Sequence, residues 1–413
     1  MATINKFLRI IKWFYPGMRV KRWILLFGFG IFLIVIGSAR FQLEPLFFIK
    51  ILYGIVIVSG LTLLVLSVKR ILRSFIGLFL PHRDANLIDL MYQQRQLERG
   101  PRIVTIGGGS GLSVILSGLK EYTSNITAIV TVADSGGSSG RLREQFDIIP
   151  PGDFRNCLVA LADAPVLMRD LFQFRFDKNS EFSGHNFGNL FITVMTQLTG
   201  DFEKALKESS KVLAIRGQVI PSTLNNVSLV AQHKNGSTTE GEALIPKSHM
   251  PIEKVFLKPS DSLATPGAIK AIEEAQIIIL GPGSLYTSII PNLLVKEITE
   301  AIAASEAVKI YVCNIMTQYG ETDGYTAYDH INAIIKHSHP KVLDYCIVNN
   351  APLPADLVER YKEEKSYPIV VDTRKIRALG YRIIEDEIIT TQDYIRHNPV
   401  KLAKIILGLI EEA

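Results

Sequence analysis

At 413 residues, with 47% hydrophobic content and a mean hydropathy of +0.22, the chain is too long for one small domain and too apolar to be disordered. Its formal charge of +5 conceals a split, because residues 1–100 carry 14 Lys/Arg against 4 Asp/Glu and the remainder carries 31 against 36. The basic excess flanks apolar segments and forms no aromatic-laced stripe, which excludes nucleic acid as a partner; Cys157, Cys313 and Cys346 lie too far apart for a disulfide framework or a C-x-x-C metal site and read as reduced, buried thiols.

Two uncharged stretches, residues 23–39 and 51–68, approach the ~17–25 residues of a membrane-spanning helix. Neither shows the polar face of an ordinary core helix, and the second following the first argues against a cleaved signal peptide. Lys6, Arg9, Lys12, Arg19, Lys21 and Arg22 precede the first stretch, and Lys69, Arg70, Arg73 and Arg83 follow the second. The connection over residues 40–50 holds Arg40, Lys50 and Glu44. The expectation is a two-span hairpin within residues 1–80, with both ends and the large C-terminal part in the cytoplasm and anionic lipid beside the basic flanks. Residues 74–80 read as an interfacial exit, 86–99 as a helix in a linker covering 81–100, and 101–413 as the cytoplasmic domain.

Strand-like runs follow at residues 103–106, 126–132, 255–257, 276–280, 309–313 and 342–348. Helix-like runs fall at 113–120, 202–212, 268–274, 294–305 and 327–337. This alternation predicts a Rossmann-like, three-layer α/β domain with a mostly parallel sheet. Residues 227–233 and 237–244 around Asn235-Gly236 predict a β-hairpin excursion from that sheet.

The chemistry-bearing residues cluster where strands end. After the first strand comes Gly107-Gly108-Gly109-Ser110-Gly111, which fits neither a Walker A sequence nor G-x-G-x-x-G. Such a loop turns N–H groups towards a phosphate at a helix N-terminus; the plain alternative is a tight turn. After the second come Asp134, Gly136, Gly137, Ser138, Ser139 and Arg141 in the run DSGGSSGR. Asp134 suits a ribose hydroxyl, a divalent cation such as Mg²⁺ beside phosphates, or an Asx turn. Arg141 and Arg143 suit a diphosphate or solvent. Asp153 reads as an N-cap. His185 lacks an evident Ser or Asp partner in sequence, while Asn186 and Asn189 suit loop ordering or base and sugar recognition. Gly281, Gly283, Ser284 and Tyr286 form a third glycine turn, and Asn314, Thr317 and Gln318 follow the next strand. No residue is assigned to a metal or to catalysis.

The segments IGGGSGLSVILSGLK, VTVADSGGSSGRLR, PPGDFRNCLVALAD, SGHNFGNL, GPGSLYTSIIPNLLV and ETDGYTAYDH together resemble the YvcK-type gluconeogenesis-factor branch of the CofD-like family, from about Arg102 to the C-terminus. The resemblance implies a Rossmann-like domain that binds UDP-N-acetylglucosamine and a regulatory role linking carbon metabolism to cell-wall synthesis and cell shape. It implies that residues 107–111 and 134–141 hold the nucleotide and phosphates, that Asn189 and residues 281–286 line the pocket, and that Arg396, with Tyr361 second, contacts the nucleotide sugar. Two departures stand out: Ser135 replaces the second carboxylate of the family's Asp-Asp-Gly-Gly, and Pro399 stands where some relatives have a phosphorylatable threonine. The alternative reading is a CofD-like phospholactyl-type transferase, and an NAD-dependent oxidoreductase rests on Asp134 and fold analogy alone. Partners expected are the nucleotide sugar, membrane lipid, cell-wall or metabolic proteins, and a second copy at an unpaired sheet edge.

Overall fold

The computed structural model describes residues 21–79, 87–177, 179–391 and 394–411. The chain divides into two compact units, the first ending at Leu90 and the second beginning at Met91.

The first unit contains helices α1 (Lys21–Leu43) and α2 (Phe47–Phe79), both apolar around most of their circumference. Each contains a stretch long and apolar enough to cross a membrane, Arg22–Leu43 and Phe47–Leu72, and only 11% of either stretch is buried. The two helices pack closely because Gly30 and Gly60 meet: a Cβ on Gly60 would lie 2.7 Å from the Gly30 carbonyl oxygen. Small residues at such a contact let backbones approach where apolar surroundings supply no hydrophobic drive. At the open end, the Arg70 guanidinium lies 5.2 Å from the centre of the Trp23 ring. Both spans are longer than the sequence predicted, and the connection shrinks to Glu44-Pro45-Leu46, with Arg40 and Lys50 inside helices. Proline cannot continue a helix, so Pro45 sets the turn. The segment read as an interfacial exit, 74–80, is helical as far as Phe79, past the apolar stretch that ends at Leu72. Lys6, Arg9, Lys12, Arg19, Pro81 and Arg83 lie outside the described residues.

Helix α3 (Leu87–Glu98) leads into the second unit, where the Asn125 amide donates to its Glu98 carbonyl at 2.9 Å. The strands are β1 (Ile103–Gly107), β2 (Ile126–Val130), β3 (Gln218–Pro221), β4 (Ser228–His233), β5 (Thr238–Glu240), β6 (Ile252–Lys258), β7 (Ile277–Leu280), β8 (Val308–Val312), β9 (Tyr345–Asn349), β10 (Arg382–Asp386), β11 (Ile389–Thr391) and β12 (Ile395–His397). Seven form one parallel sheet in the order β10-β9-β8-β7-β1-β2-β3. Strands β1, β2 and β7 are buried along their whole length, as strands covered on both faces must be. The helices covering them include α4 (Gly109–Leu119), α5 (Gly137–Phe146), α6 (Gly152–Leu161), α7 (Val166–Gln173), α8 (Phe187–Thr199) and α9 (Phe202–Leu213).

The order reverses between β1 and β7, which are direct neighbours. Loops leaving the carboxyl ends of these two strands diverge and open a crevice, the usual ligand position in such sheets. The expected hairpin is present as β4 and β5, but β6 joins it antiparallel and leaves the main sheet. Its exposure alternates, the mark of a strand with one wet face. Strands β3 and β10 were not expected. The former is short and ends in Pro221; the latter is a charged edge strand.

Candidate functional site

A cavity of about 410 Å³ opens at the β1–β7 switch point, within the ~300–1,000 Å³ range of small-molecule sites. Its floor is two glycine loops. Gly108 is fully extended and precedes α4, and Gly109 has φ of +64°, a left-handed conformation that costs a side-chain-bearing residue ~1–2 kcal/mol. A Cβ on Gly108 would lie 2.6 Å from Asp153 Oδ2 and 2.7 Å from Thr131 Cγ2. Gly111 has a different role: its Cβ would meet the Pro282 carbonyl oxygen at 2.5 Å, so it lets the β1 and β7 loops touch. The second loop is clamped by Asn314, whose amide donates to the Gly283 carbonyl at 2.8 Å while its Oδ1 accepts from the Gly283 N–H at 3.3 Å. The helix that follows opens with a π-turn over Leu285–Ile289, bringing Thr287 and Ser288 to the cavity wall.

Three carboxylates also line the cavity: Asp134, Asp153 and Glu242. Asp134 Oδ1 accepts the Gly136 N–H at 2.8 Å, and its pKa is raised by burial. Asp153 is pushed up to about 7 by burial and the nearby Asp134 charge, although the Gly109 N–H hydrogen-bonds to it. Glu242 is likewise pushed up to about 7 by burial, then by Asp134 and Asp153. Ser135 accepts the Ala243 N–H on its Oγ at 3.1 Å. Its own N–H hydrogen-bonds to the Glu242 carboxylate. The serine thereby ties down the segment after β5, from which Glu242 reaches the cavity. Among the described residues, no Lys or Arg lines the cavity and no group of three metal-ligand side chains converges.

The sequence-predicted residues divide accordingly. Gly108, Gly109, Ser110, Gly111, Asp134, Gly283, Ser284 and Asn314 line the cavity. Gly107 ends β1 beneath it, Gly136 and Gly137 shape the turn into α5, and Gly281 leads into the second glycine loop. The others lie outside the lining, each with a structural partner. Ser138 and Ser139 are buried at the start of α5. Ser138 Oγ accepts from the Asn189 amide at 3.2 Å and lies 3.1 Å from His185 Nδ1, so His185 does have a serine partner. Asn186 caps α8 by accepting the Asn189 N–H. Arg141 donates to the Ser183 carbonyl at 3.0 Å, and Arg143 binds the Val227 carbonyl at 2.6 Å and Asn226 rather than waiting for a diphosphate. Tyr286 is buried against Tyr325, their hydroxyls 2.8 Å apart. Thr317 Oγ1 accepts the Tyr367 N–H, and Tyr361 packs in a satellite cluster with Ile315, Leu357 and Ile395. Arg396 is exposed, 5.5 Å from the Tyr394 ring centre, and it is the adjacent His397 that reaches the cavity.

Sequence reading missed Asp153 as a site residue because Pro151 takes the N-cap position and frees its carboxylate. Thr131, Thr287 and Ser288 stood within quoted segments, Gln318 next to Thr317 and His397 next to Arg396, without being assigned to the site. Glu242 alone had no local signal.

The profile of the family described as 2-phospho-L-lactate transferase CofD matches residues 103–389. The chain is 47% identical to a putative gluconeogenesis factor of Nostoc sp. strain PCC 7120, over 96% of this chain and 91% of that one. It is also 47% identical to the gluconeogenesis factor of Bacillus subtilis, over 76% of this chain and 99% of that one. A crystal structure of a UPF0052-family protein from Bacillus halodurans superposes with a TM-score of 0.73 at 47% identity, covering 75% of this chain and 99% of that chain.

Proposed function

The chain belongs to the CofD family, in its gluconeogenesis-factor branch, and from that premise we propose that it is a membrane-anchored regulatory protein that binds UDP-N-acetylglucosamine and links carbon metabolism to cell-wall synthesis and cell shape. The observation that carries this reading is the cavity at the β1–β7 switch point, floored by two glycine loops and walled by carboxylates. Backbone N–H groups at the start of α4 suit the diphosphate, since a helix N-terminus favours negative charge. Carboxylates suit the hydroxyls of ribose and sugar, which are donors. Arg396, exposed on β12, is proposed as an outer contact that meets the ligand at the cavity mouth.

The membrane anchor is the α1–α2 hairpin; the alignment with the Nostoc protein covers 96% of this chain, and that with the shorter Bacillus subtilis protein 76%. Tethering places the sensor beside membrane-bound cell-wall enzymes.

One observation favours a second reading, a phospholactyl-type transferase. Asp134 and Asp153 face the same cavity that receives the phosphates, and a carboxylate pair there suits a divalent cation that neutralises developing phosphoryl charge. A thermal-unfolding panel of the full-length chain in detergent separates the two. Stabilisation by UDP-N-acetylglucosamine above GDP and NAD, without added metal, supports the regulator. Stabilisation by GDP only with Mg²⁺ supports the transferase.

A further inference from the structure

Strand β12 sends one side chain to the cavity. Along Ile395-Arg396-His397 the outer two residues turn inward and Arg396 outward, the two-residue period of a strand. His397 is 9% exposed, and its Nε2 lies 3.0 Å from the carbonyl oxygen of Cys313, just beyond β8. A carbonyl only accepts, so Nε2 carries the proton and the lone pair of the neutral ring sits on Nδ1. Among the described residues Nδ1 has no hydrogen-bond partner, and it is not one of the unpartnered polar atoms sealed inside the protein. Burial pushes the imidazole down to about 4, so the ring stays neutral near pH 7.

A neutral acceptor repels phosphate oxygens and needs a donor from the ligand. The cavity offers a direction for that donor. Asp134, just beyond β2, holds the place where doubly wound folds contact ribose, and the glycine loops after β1 and β7 lie in the middle. Asn314, Gln318 and His397 stand on the β8 side, beyond the phosphates.

We infer that His397 reads the sugar half of a bound nucleotide sugar, its Nδ1 accepting a hydrogen bond from a sugar hydroxyl or acylamino N–H. The inference rests on the proposed nucleotide-sugar reading and adds the end of the cavity where the sugar lies and the atom that recognises it. His397 is a specificity residue in this account, with its tautomer fixed by the Cys313 carbonyl.

The test is calorimetric titration of the full-length chain in detergent with UDP-N-acetylglucosamine and with UDP. His397→Gln keeps an N–H for the Cys313 carbonyl and leaves no acceptor at the Nδ1 position. It is expected to weaken the nucleotide sugar about three- to tenfold, the worth of one hydrogen bond, and to leave UDP unchanged. His397→Asn sets an amide oxygen near the Nδ1 position and is expected to keep nucleotide-sugar affinity within about threefold. Equal affinity of His397→Gln for the nucleotide sugar, or an equal loss for both ligands, overturns the inference while leaving the binding reading intact. Should His397→Gln not fold, His397→Asn decides: a loss above about threefold for the nucleotide sugar overturns the inference. Wild-type protein that binds neither ligand overturns the nucleotide-sugar reading and this inference with it.

Discussion

Asp153 shows how the site is built at the expense of stability. Its ordinary value is 3.8 and its folded value about 7, so folding takes up a proton between those pH values. The cost of burying the carboxylate is absent below the lower value, grows through the window, and is fully present above pH 7. Asp153→Asn keeps an oxygen for the Gly109 N–H and removes that charge. It should therefore raise the unfolding temperature of the ligand-free protein at pH 8 and do so less at pH 5, in parallel thermal melts. A shift of equal size at both pH values would contradict this account. Gly109 makes the opposite case. Its φ of +64° and the open space around its missing Cβ, where the nearest neighbour is Ser288 Oγ at 3.8 Å, place the demand on backbone conformation and ligand approach. Gly109→Ala should cost ~1–2 kcal/mol of stability by denaturant unfolding and lose most UDP-sugar affinity. The glycine motifs showed their purpose in sequence because glycine is the residue that a phosphate loop needs. Asp153 did not, since an acid near a helix start is more often a cap.

Elements were legible in proportion to how much their local pattern matched their environment. Strands β1 and β7 are fully buried runs dominated by Ile, Val and Leu because both faces are covered, and helix Ala327–His337 was read to its ends because Thr326 and Asp329 form a capping box. Strand β3 hid because a four-residue strand ending in proline carries almost no periodicity, and β10 because its charges suit an edge. Glu242 was invisible because a hairpin tether through Ser135, not any local motif, delivers it. The α1–α2 hairpin makes a prediction of its own. With Glu44-Pro45-Leu46 as the turn, a cysteine at Leu46 should react with a membrane-impermeant maleimide in intact cells or spheroplasts, and one at Arg102 should not. The background is low because Cys157, Cys313 and Cys346 are all buried. Labelling at Arg102 and not at Leu46 would reverse the proposed orientation.

For the whole molecule, topology does what no single motif could. The strand order puts the ends of β1 and β7 side by side, so glycine loops far apart in sequence, at Gly108 and Gly283, form one cavity floor. Alternating strands and helices made the three-layer class readable, whereas the switch point depends on strand order, which composition does not encode. The same order sets Arg396 and Tyr361 beside the cavity rather than in its lining. They belong to elements near it, but strand alternation turns Arg396 outward and Tyr361 donates to the Ile395 carbonyl. The central claim, a nucleotide-sugar sensor, is most directly tested by titrating the full-length wild-type chain calorimetrically with UDP-N-acetylglucosamine, with and without Mg²⁺. The account predicts saturable one-site binding that is unchanged by the metal, with the ligand recovered intact. Absence of binding in either condition, or binding that appears only with Mg²⁺ and consumes the ligand, would contradict it.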